Sequence, residues 1–496
     1  MNRKYKLNMK QVLLVGLVTA LGFSGCKKYL DVNQNPNNPD SATPDLLLPT
    51  AEAAVSQIVG NAFQVYGNMW AQYWTQNPGS SQYRTIDQYN LANSAFDRPW
   101  LTLYRSALVN ADLVTKSQGA QLEYYKGIAY LMKAYAFQLT TDAFGDVPLT
   151  QALAGSVYSA PKYDPQKQVY DSIFVYIDKG IALINTAGAT SPGTQDMIFS
   201  GNMTSWKAFA NTLKLRAYLR LSKADPAKAQ AGIQALYQTS PTFLTVDATI
   251  KFTSTGGNEN PLYNEMTSPT LAKVQNLVAS STAVNQFNAN NDPRVNKFYD
   301  LLVDKVGAVD TLTSIPQGSY AANTGKKVSP PSALVGARAD NPASATAPVK
   351  LISAAESYFL QAEAVARGWT NGTGNVTTLY TQGVTASFTA TGAGDPTTYL
   401  ATAPAGLTAL TTAVTVNDKV KAIITQKYFA MCGFQGFEAW TDWRRTGFPT
   451  FLVQSAASTI GAGKMPMRML YPNSELTSNA SYPGTQPINI PVWWAQ

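Results

Sequence analysis

The densest group of side chains with binding chemistry lies between residues 63 and 89, where aromatic rings alternate with amides. Exposed ring faces beside amide or guanidinium groups can bind a ligand with flat apolar faces and hydroxyl groups, as a sugar has. Several of the rings share one helix face, which predicts core packing: Phe63, Tyr66, Trp70, Tyr73 and Trp74. The residues nearest the 77–81 turn are the better candidates for exposure and ligand contact, namely Trp74, Gln76, Asn77, Tyr83 and Arg84.

Cys26 offers a second chemistry, covalent lipid attachment. A basic start and an apolar run from Val12 to Leu21 precede it, and Ser24-Gly25 stand directly before it. The run is about half of the roughly 20 apolar residues that span a membrane, so residues 1–25 are predicted to be a lipoprotein signal peptide. We expect an acylated Cys26 and a tether over 26–49 to hold the mature protein on a membrane. The alternative is a general secretory signal, because Phe23 occupies a position that usually carries a smaller aliphatic residue.

Other chemistries are limited by composition. The chain has no histidine, which excludes Ser-His-Asp and Cys-His hydrolases and nearly all catalytic zinc sites. Cys432 lies in an apolar run and is interpreted as a small buried hydrophobe. The formal net charge is +8, but four of the basic residues lie in the predicted signal peptide and would be removed with it. The remaining Lys and Arg residues form no basic stripe, so nucleic-acid binding is not indicated. No metal or cofactor motif is present.

The elements that must position these residues are mostly helices. Apolar residues recur at three- and four-residue spacing over 50–76, 99–117, 121–143, 166–185, 204–223, 227–238, 353–367, 376–388 and 416–430. Residues 240–350 are rich in Thr, Ser, Asn, Gly and Pro, which predicts an irregular, loop-rich lobe. The fold class is therefore mostly α.

Two of these helices alternate small and bulky residues at helical spacing, over 130–137 and 354–364. Small positions let a neighbouring helix approach closely while bulky ones fill its grooves, as in stacked tetratricopeptide pairs. The pattern indicates a tetratricopeptide-like helical-repeat scaffold. An irregular helical bundle is the alternative, because the repeat motif is not regularly spaced along the chain.

Ordered motifs along the chain resemble those of the SusD/RagB family of outer-membrane nutrient-binding lipoproteins. They run from the lipidation signal to the carboxyl end: Trp100–Tyr104 with Asn110, Ala143–Pro148, Asn291–Val295, Glu356–Ala364, Phe437–Gly447, and Pro466–Pro472 with Glu475. The arginines in these motifs, Arg294, Arg444, Arg445 and Arg468, are interpreted as structural, pairing with carboxylates or with carbonyls at helix ends.

The resemblance implies a SusD-like nutrient-binding domain over 50–496. It implies a binding protein and not an enzyme. This binding protein would be anchored in the outer membrane through its lipid, face the cell surface and act as a lid on a SusC-like TonB-dependent transporter. The ligand would be an oligosaccharide or, in some branches of the family, a peptide. Family members often place ligand-contacting aromatics in the early region that contains Trp74 and Tyr83, and Tyr320 and the 253–265 loop are further candidates.

Two other functions are compatible with the residues. A tetratricopeptide-like scaffold for envelope proteins would have the same helices and no small-molecule ligand. A glycoside hydrolase would need two carboxyl groups about 5 to 10 Å apart across a sugar site, and no Asp or Glu lies in a recognisable catalytic motif.

Overall fold

The computed structural model describes residues 42–302 and 311–496. The predicted signal peptide and Cys26 lie outside these residues, as does most of the predicted tether. The first described helix, α1, spans Pro44–Val59, so the last residues assigned to the tether are helical. Leu47 and Leu48 are buried, and this apolar contact explains the early helix start.

The predicted helix over 50–76 is broken after Val59, and its prediction is wrong beyond Trp70. After α1 the chain forms a second helix, α2 (Ala62–Trp70), and then a short strand, β1 (Trp74–Gln76). Between them Gln72 adopts a left-handed φ of +62°, which ends the helical path. Its side chain is fixed by the distant Val453, whose N–H donates to Gln72 Oε1 at 3.1 Å.

The other predicted helices are present with ends shifted by a few residues. They are α3 (Asp97–Leu101), α4 (Val109–Thr115), α5 (Glu123–Phe144), α6 (Gln166–Ile184), α7 (Met203–Arg220), α8 (Pro226–Gln238), α9 (Ala354–Ala366), α10 (Val376–Thr391) and α11 (Val416–Met431). A π-helical stretch, Thr102–Leu108, joins α3 to α4. A further helix that was not predicted, α12 (Gly436–Thr446), carries the Arg444-Arg445 motif. Shorter helices span Arg84–Asp87, Pro261–Thr267, Ser281–Ala289, Val295–Phe298, Thr397–Thr402, Leu407–Thr411 and Asn473–Ser478.

Consecutive helices pack as pairs. In the α5–α6 pair a Cβ added to Gly127 would come within 2.6 Å of Ile184 and 3.1 Å of the Gly180 carbonyl oxygen. The start of α5 therefore meets the end of α6, and glycine permits the close antiparallel approach. In α10, a Cβ at Gly383 would lie 2.8 Å from the Phe359 ring of α9. These pairs confirm the mostly α, tetratricopeptide-like fold.

The loop-rich lobe joins the helical frame through short antiparallel strands. β5 (Leu277–Ala279) pairs with β1, with Trp74 opposite Ala279 and Gln76 opposite Leu277. β4 (Ala248–Ile250) pairs with β6 (Val349–Ile352), and β2 (Val147–Pro148) with β3 (Tyr163–Asp164). The β1–β5 pair fixes the start of the candidate loop, residues 77–84, because this loop follows directly after β1.

A cluster of buried ion pairs lies among the central helices. Arg445 in α12 forms a bidentate pair with Glu363 in α9, at 2.6 and 2.8 Å, and both side chains are 1% exposed. Its neighbour Arg444 donates to the carbonyl oxygen of Asp142 at 2.8 Å.

The other two motif arginines are also held inside the fold. Arg294 pairs with Asp292 at 2.5 Å, and Arg468 donates to the carbonyl oxygen of Phe144 at the end of α5. The structural interpretation of the four motif arginines is therefore confirmed.

The remaining cysteine is buried, as predicted. Cys432 is 0% exposed, its Sγ lies 3.5 Å from the Tyr299 hydroxyl, and burial raises the pKa of its thiol. Within the described residues, no helix is both long enough and apolar enough to cross a membrane.

Candidate functional site

The candidate loop begins where β1 ends. The Asn77 N–H donates to the Asn276 carbonyl at 2.8 Å, which continues the β1–β5 pairing, and its side-chain amide donates to the Gln275 carbonyl at 2.7 Å. Asn77 Oδ1 accepts the Gly79 N–H at 3.0 Å, so the side chain also shapes the turn. Asn77 is half-buried and Arg84 is exposed.

The structure corrects the expected exposure of three candidates. Trp74 and Gln76 are 0% exposed, and Tyr83 is 6% exposed. Gln76 acts inside the loop: its Oε1 accepts the Tyr83 N–H at 2.6 Å and its Nε2 donates to Ser80 Oγ at 2.8 Å. Pairing with β5 buries Trp74, and its contribution is core packing; the predicted core residues Phe63, Tyr66, Trp70 and Tyr73 are also buried.

Arg84 is the most accessible of the predicted site residues. Its guanidinium lies over the Tyr320 ring, 5.3 Å from the centroid, and the Tyr320 hydroxyl accepts a hydrogen bond from Gln88 at 3.0 Å. The cation–π contact holds the charge of Arg84 at the surface beside the loop. The predicted candidates Arg84 and Tyr320 are therefore neighbours in the fold, although they are far apart in the sequence.

The loop contributes to two clefts. The first, which we name the Asn77 cleft, has a volume of about 330 Å³ and is lined on its polar side by Asn77, Gln275, Lys326, Lys327, Arg338 and Asp340. Arg338 pairs with Asp300 at 2.9 Å and also with Asp340. The Asn77 and Gln275 amides and the Arg338 guanidinium thus already bond within the protein, and Lys326 and Lys327 add positive charge to the same lining.

The second, the Tyr83 cleft, has a volume of about 290 Å³ and is lined by residues that include Tyr66, Gln82, Tyr83, Thr85, Arg98 and Glu265. Glu265 lies 3.6 Å from Arg98 and 3.5 Å from the Tyr83 hydroxyl. Burial, and next the nearby charge of Glu265, raise the pKa of both tyrosines, so their phenols stay protonated. This cleft combines apolar surface, hydroxyl groups and one ion pair.

The two clefts contain residues that the sequence reasoning missed. Glu265 ends the 253–265 loop that was a weaker candidate, and Arg98 is an exposed charge two residues before the motif Trp100. Nothing local in the sequence identified Gln275 or Arg338, because their position depends on the β1–β5 pair. Trp74, Gln76 and Arg84 line neither cleft.

A buried carboxylate, Asp87, holds the loop from beneath. Its Oδ2 accepts the Thr75 hydroxyl and the Gln76 N–H, each at 2.8 Å, and its Oδ1 accepts Gln317 Nε2 at 2.5 Å. Burial raises the pKa of Asp87 to about 6, although these hydrogen bonds lower it. Asp87 thus connects β1 to the turn that leads to Tyr320.

The site has groups for binding, and the described residues of its lining do not supply a pair of carboxylates within one cleft. Among the described residues that line the two clefts, each cleft has one, Asp340 or Glu265. Across residues 42–302 and 311–496, no three His, Cys, Asp or Glu side chains are grouped to hold a metal ion.

Fold and site together define a helical-repeat binding protein with an irregular lobe. The family described as "Starch-binding associating with outer membrane" matches residues 36–472, and the chain belongs to this SusD-like family. The resemblance found in the motifs is therefore confirmed. No curated protein matches the chain.

Solved structures share the fold over nearly their whole length. A SusD homolog from Bacteroides uniformis is 26% identical, with a TM-score of 0.74 over 91% of this chain and 99% of that one. A chitin-binding SusD homolog from Flavobacterium johnsoniae is 24% identical, with a TM-score of 0.74 over 90% and 98%. A SusD/RagB family protein from Bacteroides thetaiotaomicron is 23% identical, with a TM-score of 0.74 over 92% and 99%.

Proposed function

We propose that the protein is a nutrient-binding lipoprotein of the outer membrane that captures an oligosaccharide at the cell surface and delivers it to a TonB-dependent transporter. The observation that carries this proposal is membership of the SusD-like family over residues 36–472. A similar structure from Flavobacterium johnsoniae is named as chitin-binding, which makes a glycan the first ligand to test. A peptide is the second, because some branches of the family take peptides.

The candidate loop is the proposed ligand site. Asn77 and Tyr83 each line a cleft with amide, guanidinium or hydroxyl groups, and Arg84 is exposed on the same loop, over the Tyr320 ring. We propose binding without catalysis, because a glycosidase needs two carboxyl groups across the scissile bond and each cleft has one among its described lining residues.

Calorimetry tests the ligand. Maltohexaose, chitohexaose and a mixed hexapeptide are titrated into the mature protein without its lipid, and at least one is expected to bind. The Arg98→Ala variant should bind more weakly, because Arg98 is exposed and lines the Tyr83 cleft. Arg105→Ala removes an exposed arginine that lines neither cleft and should bind as the wild type does. Heat from none of the probes would favour the scaffold without a small-molecule ligand.

Membrane attachment and the partner need separate tests. The Cys26→Ala variant should move from the membrane fraction to the soluble envelope fraction, and mass spectrometry of the wild type should find an acylated amino-terminal cysteine. Affinity purification from native membranes should recover a TonB-dependent barrel. Recovery in the membrane fraction of Cys26→Ala protein that mass spectrometry shows to have lost residues 1–25 would contradict the anchor, and absence of a barrel would contradict the transporter partner.

A further inference from the structure

A larger cleft lies on the helical frame. Its volume is about 800 Å³, and its walls are α9, α10 and the segments 197–200 and 245–251. Among the described residues, it shares no lining residue with the Asn77 cleft or the Tyr83 cleft. Ligand pockets commonly measure about 300–1,000 Å³, so this cleft has room for several linked rings or a short chain.

One face of α10 forms the polar wall. Gln382, Thr385 and Thr389 follow each other at helical spacing, all three are exposed, and all three line the cleft. Ala386 and Ala390 lie on the same wall and project little, so space remains beside the amide and the hydroxyl groups. A row of neutral donors and acceptors of this kind matches hydroxyl groups spaced along a chain.

An aromatic ring faces this row from α9. Tyr358 is half-buried and lines the cleft. Among the described residues, no aromatic ring stacks on Tyr358 and no group hydrogen-bonds its hydroxyl. Met197, 40% exposed, and Val246, 56% exposed, add apolar surface to the same cleft. The ring is thus available to an apolar face of a ligand.

The charges of the cleft nearly cancel. Asp247 and Lys251 are its charged lining residues in the described chain. Asp247 is already engaged, since it accepts the Ala354 N–H at 2.8 Å and pairs with Lys350 at 2.7 Å. A strongly ionic ligand would find at most Lys251 as a counter-charge, so the lining favours a neutral one.

We propose that this cleft is a second oligosaccharide site, which takes a neutral glycan chain with one sugar ring on Tyr358 and hydroxyl groups on Gln382 and Thr385. The inference rests on the proposed function, because it takes the ligand to be a glycan. It adds a site remote in sequence from the candidate loop, so one long chain could engage the protein at two places.

Hydrogen exchange of the full mature protein tests the site, with maltohexaose, chitohexaose and the acidic trigalacturonate as probes. A neutral hexasaccharide is expected to slow exchange over residues 380–390 and trigalacturonate is not. Tyr358→Ala should weaken binding at this cleft about tenfold, and Tyr358→Phe, which keeps the ring, should weaken it much less. Tyr158→Ala is the matched control, because Tyr158 is 44% exposed and does not line this cleft.

A second variant tests the site without the risk that a lost buried side chain causes misfolding. Thr385→Arg fills the cleft from an exposed helix position without removing a buried side chain, and should abolish the protection over 380–390. Protection by a hexasaccharide near residues 77–84 alone, unchanged in Tyr358→Ala and Thr385→Arg, would overturn this inference and leave the proposed function intact. Protection nowhere, with no heat from any glycan, would overturn both.

Discussion

Replacing Asp87 by Asn should change how the stability of the protein depends on pH. Asp87 is 1% exposed, and burial raises its pKa from 3.8 to about 6. Because the folded-state pKa is the higher one, the folded protein holds this proton more tightly than the unfolded chain. The resulting stabilisation is complete below 3.8 and is lost as the pH rises through about 6.

The size of the effect follows from the two pKa values. Their difference corresponds to about 3 kcal/mol in the free energy of unfolding. At about 2.1 cal/mol/K of unfolding entropy per residue, the roughly 450 described residues give about 1 °C per kcal/mol, so Tm should respond by about 3 °C. Asn cannot ionise, so this contribution should be missing from the Asp87→Asn variant.

Scanning calorimetry of both proteins between about pH 4 and 7 measures the effect as a difference, in which the other titrating groups cancel. The wild type should lose about 2.5 °C relative to Asp87→Asn as the pH rises over this range, since a part of the titration lies below pH 4. Asp340→Asn is the control, because hydrogen bonding to Arg338 lowers the pKa of this exposed carboxylate and its titration falls below the range. A difference between wild type and Asp87→Asn that stays constant with pH would refute the reasoning.

Four further predictions follow from particular contacts. Arg445→Met leaves Glu363 buried without its bidentate partner and should cost about 3–5 kcal/mol of stability by denaturant titration at neutral pH. This loss of stability should become smaller at acidic pH, because ion pairing holds the pKa of Glu363 at about 2 in the wild type. Gly145→Ala forces a side chain into a φ of +89° and should cost roughly 1–3 kcal/mol in the same assay. Arg98→Ala should weaken oligosaccharide binding about two- to fivefold in calorimetry, with Tm unchanged, because Arg98 lines the Tyr83 cleft and its side chain is 70% exposed. Cys432 should resist iodoacetamide in the native protein and react fully in urea, and labelling of the native thiol would contradict its burial.

Helical periodicity predicted the frame because each long helix buries an apolar stripe, a signal contained within the helix itself. The errors occur where distant segments meet. Trp74 and Gln76 read locally as the exposed end of a helix, but pairing with β5 places both inside. No sequence pattern near Trp74 indicates that β5 is its partner strand.

The candidate site was predictable only where the local sequence determines the structure. The Asn77 turn and the exposure of Arg84 follow from local turn chemistry, and both are present. Glu265 and Arg338 come from other segments, and their approach to the loop depends on β1–β5 pairing and on the turn that Asp87 holds. Local sequence patterns therefore predicted the loop but not the residues from other segments that line its clefts.

The residues that identify the family maintain the frame and do not line the two loop clefts. Arg445 pairs with Glu363, Trp100 donates to Glu475 at 3.2 Å, and Arg468 closes the end of α5, so the motifs bond mainly to one another. Substitution of these bonded motif residues should therefore lower Tm, whereas substitution of exposed cleft residues should change ligand preference and leave Tm nearly unaltered. Family membership accordingly fixes how the protein is built, and the choice of nutrient depends on the side chains that line the clefts.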